Sequence, residues 1–144
     1  KASKKELVSV KEEIDFVTKY LDLEKERFGE RLGYSIEVEK EIYHYSIPPL
    51  IIQPIVENAV NHGISPLISG GDITISIKKK DDFLLVSISD TGVGLDEQSK
   101  NKLLDSGVGL SNTDKRLKKM YGKGIELSAN NPNGLIVKFS LGNG

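Results

Sequence analysis

The fold is decided by residues 72–95, which read DITISIKKKDDFLLVSISDTGVGL. Isoleucines alternate with polar residues over 72–80, and a second alternating segment covers 83–89. Alternation with a period of two is typical of strands with one buried face. Because Asp81 and Asp82 favour a turn between the two segments, the stretch predicts an antiparallel hairpin that leads into a glycine-rich loop.

Helices and strands alternate on both sides of this hairpin. The pattern predicts helices over 8–28, 50–63 and 109–121, and strands over 34–42, 125–129 and 135–141. The first helix carries an apolar stripe, widened by three further side chains: Val10, Ile14, Val17, Leu21 and Phe28, with Phe16, Tyr20 and Leu23. Pro54 falls either in the first turn of the second helix or at a kink. The order predicts an α/β fold, a two-layer sandwich with helices packed on one face of a mixed, mostly antiparallel sheet.

The composition excludes several classes of function. The 144 residues hold 20 basic and 21 acidic side chains, and this balance argues against the excess of positive charge on which nucleic-acid binding depends. Since there is no cysteine, disulfide scaffolds and thiolate metal sites are excluded. Two histidines, His44 and His62, are too few for a histidine-rich metal cage. No apolar run approaches the roughly 18 residues that span a bilayer, so we expect no membrane contact by these residues.

Polar residues on the second helix form the first candidate site. Gln53, Glu57 and Asn61 recur at every fourth position, and Asn58 and His62 form the adjacent row. Amide and carboxylate oxygens side by side can hold Mg²⁺, which takes oxygen ligands and is often completed by the phosphates of a substrate. A solvated helix face explains the same pattern, so the helix alone leaves both interpretations open.

Two glycine-rich segments form the second and third candidate sites. Asp90 directly follows a buried strand, so its carboxylate can accept a hydrogen bond from an exocyclic amine, while Gly92 and Gly94 let the backbone approach a flat ligand. Gly107 and Gly109 open a helix, whose free N–H groups and positive dipole end suit a phosphate. A tight turn and a plain loop-to-helix junction are the structural alternatives. Neither a Rossmann nor a P-loop pattern is complete, so both of those nucleotide sites are excluded.

Taken together, the three segments resemble the ATP-binding boxes of the GHKL superfamily, which holds histidine kinases, DNA gyrase, Hsp90 and MutL. Residues 57–59 (ENA) with 62–63 (HG) are similar to the N box, residues 90–95 (DTGVGL) to the G1 box, and residues 107–112 (GVGLSN) to the G2 box. Residues 48–63, PPLIIQPIVENAVNHG, resemble the N box of LytS/YesM-like sensor histidine kinases almost throughout. Residues 10–32 resemble the end of the dimerisation region of that group.

The resemblance implies a Bergerat fold that binds ATP with Mg²⁺. By position, Asn58 would ligate Mg²⁺, Asp90 would take the adenine amine, and Gly92 and Gly94 would shape the adenine pocket. The other ATP-binding residues that it implies are Asn61, His62, Leu95, Gly107, Val108, Gly109, Leu110 and Asn112, with residues 95–107 as the lid. The chain departs from the pattern at Leu135, where a threonine is common.

The resemblance also implies the reaction. Members that hydrolyse ATP carry a glutamate one helical turn before the magnesium-binding asparagine, and that place is held here by Pro54, which cannot act as a base. Glu57 is adjacent to Asn58 and points about 100° away around the helix, so it is a candidate catalytic residue without an assigned role. We therefore expect an ATP-dependent protein histidine kinase. A GHKL-type ATPase fragment and a non-catalytic nucleotide-sensing module are the alternatives.

The resemblance divides the chain in two and implies partners. Residues 1–32 would be the end of the dimerisation and histidine-phosphotransfer region with its linking helix, and residues 33–144 the ATP-binding catalytic domain. The phosphoacceptor histidine of the family lies upstream, and since the chain begins with Lys1 we expect it to be a piece of a longer protein. The expected partners are that dimerisation domain, as a homodimer, and the receiver domain of a response regulator. The expected location is the cytoplasmic side of a bacterial membrane sensor protein.

Overall fold

The computed structural model of the chain describes residues 7–96 and 109–142. In chain order the elements are β1 Val8–Ser9, α1 Val10–Phe28, β2 Leu32–Val38, β3 Ser46–Ile47, α2 Gln53–Asn58, β4 Gly71–Lys80, β5 Phe83–Asp90, α3 Leu110–Tyr121, β6 Glu126–Ala129 and β7 Leu135–Leu141. A π-helix, Ala59–Ile64, continues α2 without a break, and 3₁₀ turns occupy Gly29–Arg31 and Lys40–Ile42. Beyond the predicted alternation, the structure adds β1 and β3, which are too short to show a periodicity.

Five strands form one mixed sheet in the order β2-β4-β5-β7-β6. β2 and β4 are parallel, and the other neighbouring pairs of this sheet are antiparallel. Ile73 lies opposite Asp90 and Ile75 opposite Ile88, so the buried side chains of adjacent strands share one face. β1 and β3 form a separate antiparallel ladder. The predicted mixed, mostly antiparallel sheet is therefore confirmed.

The helices cover one face of this sheet. The isoleucines at 73, 75 and 77 of β4 are buried, while Ser76 and Lys78 belong to the opposite, accessible face. The buried side chains of the strands join those of α1, α2 and α3 in one apolar cluster. This arrangement confirms the predicted two-layer α/β sandwich.

One face of α1 packs on the sheet, and the structure corrects the predicted width of that face. The stripe from Val10 to Leu21 is buried, but Phe16 and Leu23 are 51% and 65% exposed. The prediction that these two side chains widen the stripe is wrong. At 3.6 residues per turn they lie about 130–150° around the helix from the centre of the stripe, so they point away from the sheet. Within residues 7–96 and 109–142, no helix is long and apolar enough to cross a membrane.

Two other predicted bounds are wrong, each for a local reason. α1 begins at Val10, two residues after the predicted start, because Ser9 and Glu12 form a capping box. β2 ends at Val38, because the chain then turns into the 3₁₀ segment that buries Ile42. The apolar side chain at 42 therefore belongs to the core without belonging to the strand.

The second helix begins at Gln53 and not at residue 50. A carboxylate from α1 holds the chain before it. The Glu13 side chain accepts hydrogen bonds from the N–H groups of Leu50, Ile52 and Gln53 at 3.0, 3.0 and 3.3 Å. Leu50 has a φ of 55°, which lies outside the right-handed helical region. Of the two places predicted for Pro54, the structure shows the first turn of the helix.

α1 shares its core with the elements that follow it. Its buried stripe belongs to the same apolar cluster as the strands of the sheet, and Tyr34 of β2 donates a hydrogen bond to Asp22 of α1. The described residues on the two sides of residue 32 therefore pack as one unit. The division into a dimerisation region and a catalytic domain at that residue stays a prediction.

Candidate functional site

A cavity of about 90 Å³ opens where α2 meets the end of β5 and the start of β7. The residues that line it are Asn58, His62, Gly63, Asp90, Gly94, Leu95 and Leu135. The sequence predicts Asn58 and His62 as binding residues on the helix, and Asp90, Gly94 and Leu95 as binding residues on the glycine-rich loop. The fold brings the two groups together around one space.

Asp90 is the buried carboxylate of this cavity. It ends β5 and is only 5% exposed. Its Oδ1 accepts hydrogen bonds from the N–H of Gly92 at 2.8 Å and from the N–H of Leu135 at 3.4 Å. Burial raises the pKa of this carboxyl above its ordinary value of 3.8, and the two N–H donors oppose that shift. No donor among the described residues bonds its Oδ2, so this oxygen can accept a hydrogen bond from a ligand.

Gly63 lets the helix come close to this carboxylate. A Cβ at this position would lie 3.0 Å from Oδ1 and 3.1 Å from Oδ2 of Asp90, which is tighter than ordinary van der Waals contact. Gly63 lies in the π-helical segment that follows α2. Such segments add a residue to a helical turn and are frequent at functional sites. The absence of a side chain at 63 therefore leaves room for a ligand beside Asp90.

The loop after Asp90 packs directly on the end of this helical segment. The N–H of Val93 donates to the carbonyl oxygen of Gly63 at 3.0 Å, and a Cβ at Gly92 would fall 2.2 Å from that same oxygen. Gly94 has a φ of 72°, which favours glycine. Gly92 therefore allows the contact between loop and helix, and Gly94 allows the turn that lines the cavity.

Asn58 and Glu57 lie on different sides of α2. Asn58 lines the cavity, whereas Glu57 is exposed and does not. Glu57 instead accepts a hydrogen bond from the Gln53 side-chain amide at 2.9 Å. The charge of Glu57 also acts on Tyr20 of α1: burial first, and then the charges of Glu24 and Glu57, raise the pKa of that phenol to about 12. Glu57, the candidate catalytic residue, is therefore exposed outside the cavity, and a catalytic role for it stays a prediction.

The residues at this cavity fit a metal ion that is held mainly by the phosphates of a substrate. Within residues 7–96 and 109–142, no group of three or more His, Cys, Asp or Glu side chains could hold a metal ion. A Mg²⁺ ion that keeps its waters and binds substrate phosphates needs only one or two oxygen ligands from the protein. Asn58 lines the cavity, and its side-chain oxygen can be one of them.

The remaining predicted residues that the structure describes do not line this cavity. Asn61 and Asn112 are exposed and Leu110 is buried in the core, so none of the three lines it. Gly109 precedes α3 with a φ of 41°. Gly107 and Val108 lie outside the described residues, as does most of the predicted lid.

Sequence reasoning missed two residues that line the cavity, Gly63 and Leu135. Gly63 belongs to the segment that resembles an N box, but no role in binding was assigned to it. Leu135 was noted only as a departure from the family pattern, and its contribution to the site includes the backbone N–H that reaches Asp90. Because every residue except proline carries a backbone N–H, the residue type does not indicate which N–H will act as a donor.

The comparisons with known proteins agree with this fold. Residues 48–143 match the family described as histidine kinase-, DNA gyrase B-, and HSP90-like ATPase. The chain is 32% identical to the sensor histidine kinase YpdA of Escherichia coli, over 96% of this chain and 25% of that protein. It is 30% identical to the sensor histidine kinase YesM of Bacillus subtilis, over 96% and 24%. With the sensor protein LytS of Oceanobacillus iheyensis it shares 31% identity, over 98% and 26%.

The chain therefore belongs to the family of histidine kinase-, DNA gyrase B- and HSP90-like ATPases. The resemblance to LytS- and YesM-like sensor histidine kinases is confirmed. The chain spans about a quarter of the length of these relatives. Among solved structures, the catalytic domain of histidine kinase ThkA matches with a TM-score of 0.75 over 95% of both chains at 20% identity, which supports the fold.

Proposed function

We propose that this chain binds ATP with Mg²⁺ and transfers the γ-phosphate to a histidine on a dimerisation domain of the same polypeptide. One observation carries the proposal. Asn58 from α2 and Asp90 from the end of β5 line one cavity, and Gly63 keeps the space beside Asp90 free. This is an arrangement that can recognise the two ends of a nucleotide at once, its base and its metal-bound phosphates.

On the base side, the free Oδ2 of Asp90 accepts the hydrogen bond of the adenine amine. The Gly92 N–H holds Oδ1, so the carboxylate is oriented before the ligand arrives. Leu95 and Leu135 supply apolar surface next to it. A guanine base, which carries a carbonyl oxygen in place of this amine, would place an acceptor against an acceptor.

On the phosphate side, Asn58 holds Mg²⁺ and the first turn of α3 offers N–H groups. These N–H groups have no partner inside the helix, and they stand at the positive end of its dipole. Bound Mg²⁺ would neutralise charge on the phosphates. Positioning and charge neutralisation are the main requirements of phosphoryl transfer, so few reactive side chains are needed.

Transfer is favoured over hydrolysis by the surroundings of Asn58. Pro54 lies one turn before it, where a water-activating glutamate would have to stand. Glu57 is the nearest carboxylate along the helix, and it is bonded to Gln53 outside the cavity. An ATPase fragment is therefore the less favoured function, and a non-catalytic nucleotide-sensing module is the other alternative.

The partners and location extend the same proposal. ThkA has been solved in complex with the response regulator protein TrrA, and that kinase resembles this chain with a TM-score of 0.71 over 96% of this chain and 41% of that one. We propose a response regulator as the final phosphate acceptor, a homodimer through the dimerisation domain, and a place on the cytoplasmic side of a membrane sensor.

Labelled ATP tests this proposal. The 144-residue chain, incubated alone with γ-labelled ATP and Mg²⁺, should acquire no acid-labile phosphate, because neither His44 nor His62 matches the acceptor. The longer polypeptide that includes the dimerisation region should become labelled on histidine. Acid-labile label on His44 or His62 would contradict the proposal, and so would rapid release of phosphate by the chain alone.

A further inference from the structure

The turn between β6 and β7 lies against the loop that follows Asp90. Asn130 and Gly134 close this turn through the Asn130 N–H, which donates to the Gly134 carbonyl oxygen at 3.1 Å. Two side-chain amides extend from the turn to the loop. Asn130 Nδ2 donates to the carbonyl oxygen of Asp90 at 2.8 Å. Asn133 Nδ2 donates to the carbonyl oxygens of Thr91 and Gly92 at 2.5 and 2.9 Å.

These hydrogen bonds satisfy backbone carbonyl groups of the loop just beyond the end of β5. β5 ends at Asp90, so the carbonyl groups of Thr91 and Gly92 have no partner strand. A buried or half-buried carbonyl without a donor costs free energy. The Asn133 amide supplies both donors, and because its partners are carbonyl oxygens, its nitrogen and not its oxygen must face them.

The same turn reaches Asp90 from two directions. Its last glycine lies so close that a Cβ at Gly134 would fall 1.8 Å from the Asp90 carbonyl oxygen. The next residue, Leu135, donates its N–H to Oδ1 of the Asp90 side chain. On the other side, Oδ1 is held by the N–H of Gly92, whose own carbonyl is bonded to Asn133. Asn133 therefore fixes the backbone that orients the carboxylate.

We propose that Asn133, supported by Asn130, is a positioning residue that sets the direction of the Asp90 carboxylate and with it the preference for an adenine amine. This role rests on the proposed function. Asn133 touches no part of the cavity, so its effect on a ligand passes through Gly92 and Asp90. If the turn had a purely structural role, substitutions at Asn133 would change the stability of the chain but would leave its preference between bases unchanged.

The test compares three variants in the same turn. Asn133→Asp keeps the shape of the side chain and removes its donors. Asn131→Asp introduces the same charge two residues earlier, at an exposed position whose side chain makes no hydrogen bond within the described residues. Asn133→Ala removes the donors without adding charge, and it serves if Asn133→Asp does not fold. Each folded variant is titrated with ATP and with purine riboside triphosphate, which lacks the exocyclic amine, at fixed Mg²⁺.

We expect both Asn133 variants to bind ATP about tenfold more weakly than the wild-type chain, because two hydrogen bonds are lost. The same variants should bind purine riboside triphosphate nearly as well as the wild-type chain does. Asn131→Asp should stay within about twofold for both ligands. An equal loss for the two ligands in the Asn133 variants, no loss at all, or an equal effect of Asn131→Asp would overturn the proposal. If the wild-type chain binds neither ligand, the proposed function fails first, and the two failures are thus distinguishable.

Discussion

At the scale of single residues, Asp90 combines burial with an unequal environment for its two oxygens. Oδ1 accepts from two backbone N–H groups, and Oδ2 accepts from none of the described residues. A buried carboxylate with an unpaired oxygen costs folding free energy, and natural chains keep such groups mainly where a ligand completes them. A ligand that donates a hydrogen bond to Oδ2 would therefore stabilise the folded chain.

The pH dependence of folding tests the burial of Asp90. Its pKa is raised in the folded chain by burial, so the folded state favours the protonated form. The stability that Asp90 contributes is present at low pH and is lost as the pH rises through its raised pKa. We expect Asp90→Asn, which cannot ionise, to gain in free energy of unfolding relative to the wild-type chain as the pH is raised from 3 to 7.

The control for this experiment is Asp82→Asn, which removes the same charge from an exposed turn. Denaturant unfolding at each pH gives the difference between variant and wild type. If the Asp90→Asn difference does not change with pH, or changes only as much as that of Asp82→Asn, then Asp90 is not a buried carboxylate in the folded chain.

At the scale of elements, the helix that carries Asn58 is held at its start by two others. Glu13 of α1 accepts three N–H groups from the backbone of residues 50–53. Arg116 of α3 donates to the carbonyl oxygens of Pro49 and Leu50 at 3.0 Å each. The position of Asn58 therefore depends on contacts with α1 and α3, which come from distant parts of the chain.

Glu13→Gln tests this support. The variant keeps the size of the side chain but turns one acceptor oxygen into a donor that faces backbone N–H groups. Since leaving buried donors unsatisfied costs about 1–3 kcal/mol each, we expect a loss of about 2 kcal/mol in the free energy of unfolding. The Mg²⁺-dependent part of ATP affinity should fall as well, because Asn58 shifts with its helix.

The matched control is Glu26→Gln, an exposed glutamate on the same helix. Chemical denaturation measures the stability of both variants, and calorimetry measures ATP affinity with and without Mg²⁺. A Glu13→Gln chain that is as stable as Glu26→Gln and equally dependent on Mg²⁺ would show that this carboxylate does not support the helix.

The same contacts explain which bounds the sequence could predict. The hairpin of β4 and β5 follows from local alternation, and the structure extends it by only one residue at each outer end. The start of α2 could not be predicted, because it depends on a carboxylate 37 positions or more away. Phe16 and Leu23 were misplaced for a related reason, since spacing alone does not show how wide a face the sheet covers.

At the scale of the whole molecule, the sequence predicted the cavity residues better than the contacts that support them. Asn58 and Asp90 could be predicted as residues of one site because they occur in segments with a recognisable sequence and order, and both line the cavity. Asn133 bonds a backbone carbonyl of the loop after Asp90, and Leu135 donates its own backbone N–H to Asp90. Both contacts depend on the fold that brings residues 130–135 to Asp90. The supporting contacts join segments that are distant in the chain, and a sequence pattern reports only neighbours.

The central claim is that one cavity recognises adenine through Asp90 and phosphate-bound Mg²⁺ through Asn58. Isothermal titration of the purified, folded chain with ATP and with GTP, each with Mg²⁺ and with a chelator, tests it most directly. We predict saturable binding of ATP, binding of GTP at least about tenfold weaker because one hydrogen bond becomes a repulsion, and weaker binding of ATP when Mg²⁺ is removed. No binding of ATP at millimolar concentration, or equal binding of ATP and GTP, would contradict the claim.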